Sequence, residues 1–133
     1  MILLLLIVAI LIGFTAFFGL YEVQIFNTKA STLNTSFSVD NSYVFVTPLQ
    51  ASANGQEKIR VTVFVLNNQG LGVLGRKVTL GLSPALNIQT IQGLTDSFGK
   101  SYFDVSSSTP GDYYIDIQVD GTLLTQKAHV TFN

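Results

Sequence analysis

Few side chains in this 133-residue sequence could do covalent or metal chemistry, and their spacing argues against both. Cysteine is absent, which removes thiolate nucleophiles, thiolate metal sites and disulfides. The single histidine, His129, lies between Ala128 and Val130 in an alternating run and faces outward. Serine–histidine–aspartate catalysis needs a base within hydrogen-bond reach of the nucleophile and a third group to orient it. No stretch of the sequence arranges such a set. Asp96, Asp104, Asp112, Asp116 and Asp120 offer oxygen ligands, but each loop holds one carboxylate where a calcium loop concentrates several. They read as solvated turn and strand residues. The expectation is a protein that is not an enzyme, with no cofactor and no bound metal.

Two further patterns touch ligand chemistry. The Gly-rich stretch Asn67-Asn-Gln-Gly-Leu-Gly-Val-Leu-Gly75 is no phosphate loop, because Gly75-Arg76-Lys77 opens a strand where a Walker-type loop would open a helix. The seven Lys and Arg are scattered from Lys29 to Lys127, so no basic patch is available to neutralise phosphates and nucleic acid is not an expected partner. Net charge is −1 and charged residues make up 11% of the chain, against roughly 25% for an ordinary soluble domain. The polar surface is Ser, Thr, Asn and Gln, which suits an extracellular location. Asn34-Thr35-Ser36 satisfies the glycan-acceptor sequon, making Asn34 a candidate glycosylation site.

The element that must carry these features outward is the N-terminal run, residues 1–26, which holds no side-chain charge before Glu22. A helix from Ile2 to Phe26 would reach about 37 Å, enough to cross a hydrocarbon core of about 30 Å. It has no polar stripe, so lipid or other apolar helices must surround it. Three readings compete: a cleaved secretory signal, a permanent single-span anchor, and the core helix of a filament whose subunits wait in the membrane before assembly. A signal peptide would carry basic residues before the run and a small-x-small site after it, and neither is evident. Ala9, Gly13, Ala16 and Gly19 are small residues at helical spacing that let helices approach closely.

Residues 27–38 read as a polar linker. From Tyr43 the apolar period falls to two, with turn residues every eight to twelve positions, which predicts a mainly β fold with residues 39–133 forming one sandwich of about seven strands. Expected strands are 42–46, 57–66, 77–83, 88–94, 101–107, 113–119 and 123–132. Ile59, Val61, Val63 and Val65 should face inward, as should Val78, Leu80 and Leu82, and Tyr113, Ile115, Ile117 and Val119. The inward face of 101–107 stays open. Phe64 and Leu66 fall on an outer face, and with Leu71 and Leu74 are candidate contacts between copies. Gly99 is expected to take positive φ, and Asp120-Gly121 to close a hairpin.

From about residue 52 to 132 the pattern resembles the bacterial Ig-like repeats of the invasin and intimin adhesins. The matching pieces are Ala53-Asn-Gly55, Asn68-Gln-Gly70, Gly75-Arg-Lys-Val-Thr-Leu80, Thr95-Asp-x-x-Gly-Lys100, and Thr109-Pro-Gly-Asp-Tyr113 leading into Ile-Asp-Ile-Gln-Val-Asp-Gly121. The resemblance implies an Ig-like antiparallel β-sandwich used as an extracellular spacer or binding module. Tyr113 is then placed for the tyrosine-corner hydrogen bond of such sandwiches.

An apolar helix followed by a small Ig-like sandwich also resembles pilins of the type IV superfamily, especially archaeal pilins and flagellins. Leu5 stands where bacterial type IV pilins usually carry a glutamate, which places the chain nearer the archaeal pattern. A numbering that starts at the apolar run suits a processed pilin, or Met1 is the initiator. Together these expectations describe a filament subunit whose helices bundle with their copies, with the membrane as partner before assembly and a host or neighbouring-cell ligand afterwards. The alternative is a single-span anchored Ig-like adhesion module.

Overall fold

The computed structural model describes residues 1, 6–17 and 36–133, and the chain divides into two units, Met1–Asn34 and Thr35–Asn133. In the first, helix α1 covers residues 6–17, and all twelve of its residues are exposed. Its one polar side chain is satisfied within the helix, since the Thr15 hydroxyl donates to the carbonyls of Leu11 and Ile12 at 3.0 Å. Twelve residues span about 18 Å, and among the described residues no helix is long and apolar enough to cross a membrane. The rest of the expected helix, with Gly19, and the linker through Thr35, with Asn34, lie outside the described residues.

The second unit carries ten strands: β1 (Tyr43–Thr47), β2 (Gln50–Ala51), β3 (Ile59–Phe64), β4 (Val78–Leu80), β5 (Asn87–Gln92), β6 (Lys100–Ser106), β7 (Gly111–Ile115), β8 (Ile117–Val119), β9 (Thr122–Leu123) and β10 (Ala128–Phe132). They form a four-stranded sheet β1-β3-β6-β5 and two three-stranded sheets, β2-β10-β7 and β4-β8-β9. The inward side chains meet in one core. Ile59, Val61, Val63, Phe103 and Val105 come from the first sheet and Val78, Ile115, Ile117, Val119, Val130 and Phe132 from the other two. The alternation of β-branched residues is what turns one face of each strand inward.

Several expectations change. The run of 113–119 is two strands, because the chain leaves β10 after Ile115 and pairs with β4 from Ile117 onward. The last run is likewise split into β9 and β10. Leu82, expected inside, is 95% exposed: β4 ends at Leu80, and Gly81 N–H turns aside to donate to Asp116 O at 2.7 Å. The sandwich is not wholly antiparallel, since β2 runs parallel to β10 after the chain crosses between sheets beyond β1. Phe37, placed by sequence in the linker, packs on the core together with Val39.

Candidate functional site

Sequence reasoning offered a helix face, an apolar patch and a solitary histidine. Ala9, Gly13 and Ala16 all lie on α1, and open space surrounds the position a Gly13 Cβ would take. Of the four expected contact residues, Leu71 and Leu74 are exposed at 59% and 50%. Phe64 and Leu66 are half-buried. Phe64 stacks on Tyr43 of the neighbouring strand, with ring centroids 4.6 Å apart, and Lys100 Nζ lies 5.5 Å from the Phe64 ring and 5.7 Å from that of Phe98. Tyr43, Phe45 and Phe98 were missed as members of this surface. The signal was present in Tyr43-Val-Phe-Val46, whose alternation separates aromatic from aliphatic residues, but only the packed core shows that the valines point in.

His129 is outward, as expected, and lies against Asp112 and Tyr114 of β7. Its Nε2 is 3.2 Å from Asp112 Oδ1, and its ring stacks on Tyr114 at 4.4 Å. The nearby hydroxyl of Thr131 donates to Asp112 at 2.6 Å. That proton goes to the carboxylate and not toward the imidazole, so the group is a surface ladder, with no nucleophile oriented by a base. The Thr131 hydroxyl, and after it His129, hold the Asp112 carboxyl below the usual carboxylate range. A folded-state pKa below the unfolded one adds stability above the unfolded value of about 3.9, and that stability is lost as pH falls through the folded value. Wild type and Asp112→Asn are therefore expected to differ more in urea midpoint at pH 5.5 than at pH 2.5. A constant difference would show that the ladder does not hold the carboxylate.

Tyr113 makes the bond assigned to it: its hydroxyl donates to the Thr109 carbonyl at 2.9 Å, holding the Pro110-Gly111 turn against β7. Tyr113→Phe removes one neutral hydrogen bond and keeps the ring's packing on Phe132, so the expected loss is about 1 kcal/mol. Thermal unfolding of the two proteins measures it. Arg60 grips Asp104 with two bonds, Nε at 2.8 Å and Nη2 at 3.1 Å, across β3 and β6.

No group of three or more His, Asp or Glu residues is placed to hold a metal ion among the described residues. A cleft of about 290 Å³ is lined by Gly55, Asn87, Ser106, Ser107, Ser108 and Thr109. Its Ser107 hydroxyl is already engaged, donating to Ala85 O and accepting from Thr109 N–H.

The two facing β layers, the Tyr113 corner and the Asp120-Gly121 hairpin together fit a sandwich of immunoglobulin type. A family model described as bacterial Ig-like domain (group 1) matches residues 41–133. The chain belongs to this family. The Ig-like domain is also similar to solved structures. One is the Yersinia pseudotuberculosis adhesin InvE, with TM-score 0.63 and 20% identity, covering 72% of this chain and 27% of that one. A second is invasin, a bacterial integrin-binding protein, with TM-score 0.66 and 20% identity over 74% of this chain and 20% of that one. A third is an intimin fragment in complex with the intimin-binding domain of the translocated intimin receptor, with TM-score 0.59 and 24% identity over 74% and 33%. At these identities the likeness is one of fold, and this chain spans a third or less of each of those three. No curated protein matches the sequence. The expected invasin and intimin resemblance thus holds, and the match begins earlier, at residue 41, than the repeat pattern suggested.

Proposed function

We propose that this Ig-like domain works at a cell surface by adhesion, without catalysis, as the structural subunit of a pilus-like filament. In this reading the N-terminal helices bundle in the core and the sandwiches form the outside. The observation that carries it is α1: Leu6, Ile7, Val8, Ile10, Leu11 and Ile12 surround the helix and are each between 44% and 63% exposed. An apolar surface on every side of a helix needs lipid or like helices as neighbours. Ala9, Gly13 and Ala16 give those helices a line of close approach. Moving from lipid to a bundle adds packing contacts at little cost in solvation. The membrane is then the partner before assembly, the chain's own copies the partner within the filament, and a host or neighbouring cell supplies the ligand. Asn34 is the proposed glycan acceptor between helix and sandwich.

A second reading, a single-span anchor displaying one Ig-like adhesion module, is favoured by the structural neighbours. Invasin is an integrin-binding protein, and the intimin fragment was solved with its receptor. Electron microscopy of material sheared from intact cells, with mass spectrometry of its N-terminus, separates the two. Thin filaments containing this chain support the first. Recovery only as dispersed particles from detergent-extracted membranes removes the filament and leaves the anchored module. Absence of the chain from the surface of intact cells overturns both.

A further inference from the structure

The outer face of the four-stranded sheet does not have the composition of a solvent face. Register places Tyr43, Phe64 and Lys100 in one row across β1, β3 and β6, and Phe45, Thr62 and Tyr102 in the next. Such positions in an antiparallel sheet are ordinarily polar. Here Phe45 is 57% exposed and Phe98, over which Lys100 lies, 70%, while Thr62 between the rings is buried. Below these rows Arg60 and Asp104 neutralise each other. Lys58 and Lys100 have no carboxylate partner among the described residues: Lys58 donates to the Gln89 amide oxygen, and Lys100 rests over aromatic rings. By alternation Lys58 shares this face with Arg60, so an aromatic centre is flanked by two uncompensated positive charges.

The opposite layer presents Asp112 and Tyr114 outward on β7, opposite Thr131 and His129 of β10. Next along the chain, Asp116 pairs with Lys127 at 2.9 Å. What remains is the Asp112 carboxylate, which accepts from the Thr131 hydroxyl and lies 3.2 Å from His129 Nε2, with no Lys or Arg partner among the described residues; Tyr114 beside it is 66% exposed.

We propose that these two faces bind each other between copies of this chain, the basic aromatic face of one sandwich seating on the Asp112/Tyr114 face of the next. Pairing the aromatic face with itself would set Lys58 and Lys100 against their own copies, so charge complementarity selects unlike faces. A contact between unlike faces leaves a fresh face on every added copy, so it builds a ring where the rotation between copies closes and an open filament where it does not; the filament reading takes the open case. The aromatic face measures roughly 14 Å across four strands by roughly 20 Å along them. That is well below the surface of about 800 Å² per partner that stable pairs bury. The contact therefore depends on tethering, which helices sharing one bundle supply as effective concentration. The inference rests on the filament reading and names its lateral contact.

The absence of cysteine makes single-cysteine reporters unambiguous. The full chain, reconstituted in phosphatidylcholine vesicles, is made as Phe45→Cys on the aromatic face and as Gln50→Cys on β2, in the row of Thr131 and Asp112. Gln56→Cys, exposed in the Asn54-Gly55 turn, is the collision control. With a short bismaleimide, Phe45→Cys mixed with Gln50→Cys is expected to cross-link about tenfold faster than Phe45→Cys mixed with Gln56→Cys. Adding Lys100→Glu to the Phe45→Cys chain should slow the reaction about fivefold, with an unchanged circular dichroism spectrum. Rates equal to the control, or Phe45→Cys homodimers as the main product, overturn the proposal. Cross-links in vesicles without filaments on cells would remove the filament and leave the contact. Filaments without the cross-link would do the reverse.

Discussion

Phe103→Ala is expected to destabilise the sandwich by about 3–5 kcal/mol, the range for truncating a large buried aromatic side chain. Phe103 is 2% exposed, sits mid-strand in β6, and faces Val61 on one neighbouring strand and Thr90 on the other. Val61 is held in an unbroken β3–β6 ladder, while the β5–β6 ladder shifts register just beyond Thr90, so the side of the cavity on β3 has little freedom to collapse. A domain of this size has about 5–15 kcal/mol in total, and the loss would move a urea midpoint by about 2 M for a slope near 2 kcal/mol/M. Phe103→Leu, which keeps most of the volume, should cost less than half as much. A midpoint shift below about 0.5 M for the alanine variant would mean that β6 does not turn this residue into the core.

Gly99→Ala should cost about 3–4 kcal/mol although it adds a single methyl group. Gly99 has φ of +75°, and an added Cβ would strike the carbonyl oxygen of Val65 and approach Gly72 Cα to 2.9 Å. Gly72 is equally confined, its own Cβ position falling on the backbone carbonyl of Phe98. The turn at 95–100 and the Gly-rich loop at 67–75 thus lie backbone against backbone. Val65 lies between them and bonds to each, its N–H donating to Gly99 O at 2.7 Å and its carbonyl accepting from Val73 N–H at 2.9 Å. The left-handed backbone contributes about 1–2 kcal/mol and each displaced bond about 1. Gly70→Ala is the internal standard, with φ of +76° and nothing within 4 Å of the added atom. It should lose only the backbone contribution, lowering Tm by about 4–16 °C where Gly99→Ala lowers it by about 12–32 °C, two to three times as much in one set of measurements. Equal shifts in the two variants would show that the loops do not touch.

Local chemistry was legible in the residues themselves. Asp120 and Gly121 adopt φ of 49° and 83° as their hairpin requires, and Gly99 is left-handed as its turn demands. His129 faces outward because Ala128 and Val130 on either side are drawn inward. Each of these depends on a few adjacent residues. The candidate surface was only half legible. Phe64, Leu66, Leu71 and Leu74 were singled out, but the aromatic face completed by Tyr43 and Phe45 in adjacent rows depends on β1 pairing with β3, a contact between residues about twenty positions apart.

The sequence by itself determined an apolar run with no polar stripe, an alternating β pattern, the turn positions, and the lack of any cysteine or histidine cluster that could do chemistry. All of these are carried by side-chain type and short-range spacing. Only the tertiary structure decided that an unbroken alternating run through Asp116 changes sheets, that Leu82 is left outside, and that aromatic side chains cover the face of one sheet. A period of two marks two faces of a strand without saying which is buried or which strand lies alongside. Those choices belong to packing between distant segments.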